Sequence, residues 1–220
     1  MIPKTEDLLD LSRTAASSLL CRFEYAWQAI PHIKDFILEL GKSLPPSKYD
    51  EIKEGIWIAR NATVAKSAHI DAPCIIGENA EIRHCAFIRG AALIGEGAVI
   101  GNSTELKNCI IFDGAQIPHY NYVGDSVLGY RAHMGAGALT SNVKSDKSPV
   151  SVSFGGESIK TGMKKFGAIL GDFAEIGCGA VLNPGSVIGR RSTVYPLTSV
   201  RGVIPPDSIV KSDKSIIRKD

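Results

Sequence analysis

From Ile58 onward the chain places a branched aliphatic residue at every sixth position: Ile58, Val64, Ile70, Ile76, Ile82, Ile88, Ile94, Ile100 and Leu106. After a five-residue step the series resumes at Ile111, Ile117 and Val123, and a second such step brings Leu128, Met134 and Thr140. Beyond an interruption it returns as Leu170, Ile176, Leu182, Ile188, Val194 and Val200. Two residues ahead of these stands a small residue, as at Ala62, Ala80, Ala98, Ala174 and Ser192, and glycine often follows, as at Gly77, Gly95 and Gly177. A period of six matches neither a helix nor a simply alternating strand. It matches a coil in which each hexad lays down one short strand and one corner, the aliphatic side chain pointing inward and the small residue packing under the bend. Three hexads would close a coil of about 18 residues, with coils stacked about 4.8 Å apart. The expected fold is an all-β solenoid built of hexapeptide repeats. A β-sandwich would have no reason to hold this register.

The repeat divides the chain. Residues 1–50 lack it and instead carry Trp27, Ile30, Ile33, Phe36, Ile37 and Leu40 at helical spacing. This predicts two or three helices, broken near Pro31 and ended between Gly41 and Pro46. They are expected to cap the open first coil, whose edge would otherwise be exposed. Residues 51–210 form the solenoid, with an insertion over 143–166, and 211–220 form a tail. Within the insertion, alternation over Val150–Phe154 followed by Gly155-Gly156 predicts a hairpin on a projecting loop.

Coil arithmetic then brings polar residues together. Arg89 and Lys107 each follow an inward residue by one and lie three hexads apart, so they stack on one face of neighbouring coils. Two cations roughly 5 Å apart need a negative group nearby. Glu105 could supply part of that charge and so could a ligand phosphate, and two solvated side chains is the alternative. Tyr122 belongs to the same face, Asn142 ends the strand one coil above it, and His119 stands at the corner leading into it. His133 is expected one coil above the neighbourhood of His119. An imidazole in that setting suits a general base. Lys144, Lys147, Lys164 and Lys165 suit an anion or simply a solvated loop. No pair of histidines or carboxylates has the spacing of a zinc site, so no metal is expected.

Charge and composition narrow the field. A formal charge of +2 gives no electrostatic reason to expect nucleic acid or an anionic membrane. Glu6, Asp7 and Asp10 stand where a secretory signal would be basic and then apolar. Five cysteines without a CxxC pair read as free thiols in a reducing compartment, and the expected location is the cytoplasm.

Three segments, GNSTELKN (101–108), HYNYVGDS (119–126) and HMGAGALTSN (133–142), resemble the acetyltransferase domain of the bacterial bifunctional N-acetylglucosamine-1-phosphate uridyltransferase. The loop segment SIKTGMKKFGAILGD is similar to archaeal-type sugar-1-phosphate nucleotidyltransferases carrying the same C-terminal solenoid. The resemblance, over about residues 55–205, implies a left-handed parallel β-helix, a homotrimer with sites between subunits, and acetyl-CoA as donor. It implies that Arg89 and Lys107 hold a sugar phosphate, that His119 is the catalytic base, and that Tyr122 and Asn142 contact the sugar. The Ala136 amide would lie by the acyl carbonyl, and Cys178 would contact the coenzyme.

Two departures matter. His133 stands where the bacterial enzyme has a sugar-contacting asparagine, and a lysine expected after Asn142 is displaced to Lys147, with Lys144 nearby. No Gly-rich nucleotide loop opens the chain, and 50 residues are few for a nucleotide-binding domain. The implied activity is therefore acyl transfer to an amino-sugar phosphate, such as glucosamine- or galactosamine-1-phosphate, rather than nucleotidyl transfer. A non-catalytic sugar-phosphate binder and an O-acyltransferase remain alternatives.

Overall fold

In a computed structural model, which describes residues 1–219, the six-residue series lines the inside of a parallel β-helix. Its aliphatic members from Ile76 to Val200 are buried there together with the small residues beneath them, while Ile58, Val64 and Ile70 are partly buried at the open first coil. Strands eighteen residues apart pair in parallel, as Ile56 with Cys74 and Glu81 with Val99, so successive turns of the chain hydrogen-bond edge to edge.

Three walls result. The first runs through Ile56–Ala59, Cys74–Ile76, Ala92–Ile94, Ala168–Leu170, Ser186–Ile188 and Val203–Ile204. The second runs through Thr63–Val64, Glu81–Ile82, Val99–Asn102, Gln116–His119, His133–Met134, Glu175–Ile176, Thr193–Val194 and Ser208–Val210. The third holds His69–Ile70, Phe87–Ile88, Leu139–Thr140, Val181–Leu182 and Ser199–Val200. Two longer strands, Glu105–Ile111 and Tyr122–Leu128, begin on the third wall and end on the first. They coincide with the two five-residue steps. With one residue removed from the hexad, the corner shrinks to a single left-handed residue, Asn108 (φ 50°) or Asp125 (φ 49°), and the strand continues round it. Asparagine and aspartate are the non-glycine residues that take this conformation most readily.

The amino-terminal segment lies elsewhere than expected. It forms short helices, ending in Ile33–Ser43, and they cover the first wall from the side instead of the open first coil. Leu8, Leu20, Trp27, Ile30, Ile33 and Ile37 pack against Trp57, Ile75, Leu93, Ile110, Val127 and Ile169, the outward residues of that wall. Each such side chain removed from water contributes about 1.5–3 kcal/mol. The fit is close at Gly41, where the Trp57 indole occupies the space a Cβ would need. The open edge is met instead by Tyr49–Lys53, which pairs antiparallel with Ile56–Ala59.

The insertion carries the expected hairpin, Ser151–Phe154 against Glu157–Lys160. It does not project: Val150, Val152 and Phe166 are buried against Trp27, Val187 and Val203, because the alternating strand has an apolar side to cover. The expected tail also adds structure. Ile216–Arg218 pairs antiparallel with Ser208–Val210 and finishes the second wall, while Asp220 lies outside the described residues. Among the described residues, no helix is long and apolar enough to cross a membrane.

Candidate functional site

The third wall brings four of the expected residues together. Leu106 pairs with Ile88, which sets Lys107 above Arg89, and Glu105 pairs with Tyr122 in the next coil. Each cation has its own carboxylate. Arg89 Nη1 donates to Glu105 Oε1 at 2.6 Å, and Lys107 Nζ lies 3.4 Å from Asp125 Oδ1. Glu105 therefore neutralises the arginine, and the lysine relies on Asp125.

Asp125 ties the wall together. Its side chain is only 4% exposed, and Asn108 Nδ2 donates to Oδ1 at 2.8 Å while Asn142 Nδ2 donates to Oδ2 at 2.5 Å. Asn142 Nδ2 also donates to the Tyr122 hydroxyl at 3.2 Å. Tyr122 reaches that position by folding over Gly124, where any Cβ would meet the phenol. Burial raises the Tyr122 phenol above its ordinary value, and the negative charges of Asp125 and Glu105 push the same way. The hydroxyl is thus kept neutral and able to donate to a ligand.

His119 is the last residue of its second-wall strand, one corner away from Tyr122. Its ring is exposed and makes no hydrogen bond among the described residues, while its backbone N–H donates to Asn121 Oδ1 at 3.0 Å. Asn121 is buried and donates from Nδ2 to the carbonyls of Gly135 (2.8 Å) and Ala138 (2.9 Å). One amide thereby fixes His119 to the turn that carries Ala136. The corner continues upward: Gly137 N–H donates to His119 O, Gly179 N–H to Ala136 O, and Leu197 N–H to Cys178 O. His119, Ala136 and Cys178 form one column in successive coils. The Ala136 N–H faces no backbone acceptor among the described residues, leaving it available to a ligand oxygen.

Three expected residues fall apart from this cluster. His133 pairs in register with Gln116 and Glu175, so it stands at the start of the strand level whose far end carries His119, about 10 Å along the wall. It does not sit above His119. That place belongs to Ala136, because parallel pairing stacks residues seventeen apart here. The His133 Nδ1 is 2.9 Å from Glu175 Oε2. Lys144 Nζ is held by Ser148 Oγ at 2.6 Å beside Asn183 and Arg201, and Lys147 is exposed on the same loop. Among the described residues, no group of three or more His, Cys, Asp or Glu is arranged to hold a metal ion.

Asp125 and Asn121 were missed by sequence reasoning, yet both left a mark. Asn121 occupies the position two before the inward Val123, where nearly every other hexad has a small residue. Asp125 falls inside a five-residue step, at the place Asn108 holds in the other.

A hexapeptide-repeat solenoid with a polar seam on one wall is the class defined by this fold and site. Residues 70–166 match the family model described as the GMPPB C-terminal domain. The bifunctional protein GlmU of Methanococcus maripaludis is 36% identical over 135 residues, covering 61% of this chain and 33% of the relative. The bifunctional sugar-1-phosphate nucleotidylyltransferase/acetyltransferase of Sulfurisphaera tokodaii is 38% identical over 96 residues, covering 44% and 24%. Among solved structures, a mutant of AntD, an N-acyltransferase from Bacillus cereus in complex with dTDP and coenzyme A, is 16% identical with a TM-score of 0.35, covering 78% of this chain and 90% of that one. The chain spans about a third of the length of the curated GlmU relatives it matches. Its resemblance is to the C-terminal acetyltransferase domain of such bifunctional proteins.

Proposed function

We propose that the chain transfers an acyl group, acetyl in the first instance, from acyl-CoA to the amine of an amino-sugar phosphate. The observation that carries this reading is the meeting of two columns at one corner. Arg89, Lys107, Tyr122 and Asn142 offer anion and hydroxyl contacts on the third wall, and His119, Ala136 and Cys178 run up the adjoining edge. The similarity to the acetyltransferase-bearing relatives supports it.

Arg89 spends one of its donors on Glu105, and the Lys107 ammonium spends one on Asp125, so both keep N–H groups for phosphate oxygens. The amine nitrogen attacks the thioester carbonyl carbon. His119 removes a proton from that nitrogen, and the Ala136 N–H donates to the oxyanion as charge develops. Collapse breaks the carbon–sulfur bond and releases CoA as the free thiol once it takes up a proton. An amine must be neutral to attack, so the nitrogen has to reach the thioester carbon unprotonated. A second subunit of a homotrimer would complete the cleft, since the seam lies on an outer edge of the coil.

The test is incubation with acetyl-CoA and glucosamine- or galactosamine-1-phosphate while free thiol is followed. His119→Ala should lower the rate by a factor of about 10²–10⁴ without altering the melting temperature. CoA release that is absent, or indifferent to His119, counts against the assignment. A non-catalytic sugar-phosphate binder is the second reading, favoured because no group among the described residues hydrogen-bonds the His119 ring to orient it as a base, while the backbone N–H alone is held by Asn121. Thermal stabilisation by the sugar phosphate but never by acetyl-CoA selects it.

A further inference from the structure

Two coils below His119 the same corner carries a second reactive group. Ser103 N–H and Asn102 Nδ2 both donate to the His84 carbonyl, each at 3.2 Å, and Asn102 pairs in register with His119. His84 therefore belongs to the His119 column, roughly 10 Å lower. Its ring is engaged at both nitrogens. Nε2 is 3.2 Å from Cys85 Sγ, and Nδ1 is 2.6 Å from Ser67 Oγ. Ser67 Oγ also accepts the Cys85 backbone N–H at 3.1 Å. Cys85 sits in the left-handed region (φ 56°) at the tip of the corner, with its thiol exposed.

This is the arrangement of an activated nucleophile: thiol, base within hydrogen-bond reach, and a third group orienting the base. With Nδ1–H donating to Ser67 Oγ, Nε2 is free to take the thiol proton. After transfer, Nε2–H donates to the thiolate and the Nδ1 bond to the serine persists, so the hydroxyl serves both states. The other exposed thiols lack such a base. Cys21 Sγ meets only the Ser18 carbonyl at 3.6 Å, and Cys178 has no side-chain partner among the described residues. Cys74 and Cys109 are buried in the coil, where desolvation pushes the Cys74 thiol up to about 12 and the Cys109 thiol up as well.

We propose that Cys85, His84 and Ser67 form a nucleophilic thiol site that accepts an acyl group from a thioester. His84 Nε2 takes the Cys85 proton, and the sulfur adds to the thioester carbonyl carbon. The bond from that carbon to the donor's sulfur then breaks, and the departing thiolate takes the proton from His84. The products are an acyl-Cys85 thioester and one free thiol, with no change of oxidation state. The choice of a thioester as electrophile rests on the acyl-transfer reading of this corner; the activation of the thiol does not.

The experiment uses the full chain and its own thiols as internal controls. Limiting iodoacetamide followed by peptide mass spectrometry should alkylate Cys85 about tenfold faster than Cys21 or Cys178. His84→Gln should bring Cys85 down to their rate, and Ser67→Ala should give an intermediate value. The small thioester S-acetyl-N-acetylcysteamine should leave one acetyl group on Cys85, lost in His84→Gln. Equal alkylation of the exposed thiols, or a Cys85 rate indifferent to His84, overturns the activated site. Fast alkylation without acetylation overturns the acyl-acceptor role. Acetylation of Cys85 in a protein that never acetylates amino sugars would sink the acyltransferase proposal while leaving this one standing.

Discussion

One strand, Glu105–Ile111, shows two uses of the same coil. Its first half lies on the third wall and turns Lys107 outward toward Asp125, and its second half lies on the first wall and turns Ile110 outward under the helices. The inward residues, Leu106, Cys109 and Ile111, do the same work in both halves. The backbone is thus indifferent to purpose, and a wall's role is set by its outward side chains. On the first wall those are Trp57, Ile75, Leu93, Ile110, Val127, Ile169, Val187 and Val203, which hold on the helices and the hairpin. On the third wall they are Phe87, Glu105, Tyr122, Leu139, Val181 and Ser199, a mixed set that leaves room for Arg89, Lys107 and Asn142.

The sharpest way to break this comparison is to substitute one residue on each wall. Ile110→Ala empties a fully buried site between strand and helix and should cost about 2–5 kcal/mol of stability, read as a lower midpoint in denaturant. Its acyltransferase rate per folded molecule should be unchanged. Arg89→Ala should do the reverse. The exposed Arg89–Glu105 pair contributes little to the fold, so the melting temperature should hold while KM for a phosphorylated acceptor rises about tenfold. If Arg89→Ala unfolds the protein or Ile110→Ala silences a folded one, the division of labour between the walls is wrong.

The solenoid and the inward core were legible because a period of six is imposed by the coil itself and repeats at every turn. The lateral packing of the helices was not read, although its sign was present. The residue before the inward aliphatic is apolar without a break in every third hexad, as Trp57, Ile75, Leu93, Ile110 and Val127, while the intervening hexads mix apolar residues such as Phe87 and Val99 with Glu81, Glu105 and Gln116. A period of eighteen on the outside marks one covered wall; a capped end would need no such stripe. In the site, Arg89, Lys107, Tyr122 and Asn142 could be placed because they share a wall and arithmetic suffices there. His133 was misplaced because it precedes the inward Met134 by one residue while His119 follows the inward Ile117 by two, so the two histidines share neighbouring coils but stand three positions apart along the wall. Asp125 was missed because a corner residue is invisible to a rule about strands.

Asp125→Asn tests whether that corner residue serves the wall or only the fold. Asparagine also accepts the left-handed conformation, so the variant removes charge while sparing the backbone. Loss of a charge-assisted, buried hydrogen-bond centre should cost about 1–3 kcal/mol. Lys107 and Asn142 would then lose a shared anchor, and KM for the phosphorylated acceptor should rise with little change in kcat. A stability loss with KM unaltered would make Asp125 a structural corner and detach it from the site.

The smallest effect concerns Tyr122, which belongs to neither extreme, being half-buried on the working wall. Its folded phenol is raised above the ordinary value of 10.0, chiefly by burial, with Asp125 and Glu105 adding to the shift. A group held protonated by the fold stabilises it fully below the unfolded value and loses that contribution as pH rises through the folded one. Tyr122→Phe should therefore be less stable than the parent by about 0.5–1.5 kcal/mol near neutrality, the net worth of the bond from Asn142. The gap should narrow only above pH ~10. Ultraviolet difference titration of the parent against Tyr122→Phe would show the same phenol ionising later than an exposed tyrosine. Ionisation at or below the ordinary value would mean that the ring is not buried on this wall beside Asp125 and Glu105, since these raise the phenol while the bond donated by Asn142 pulls the other way.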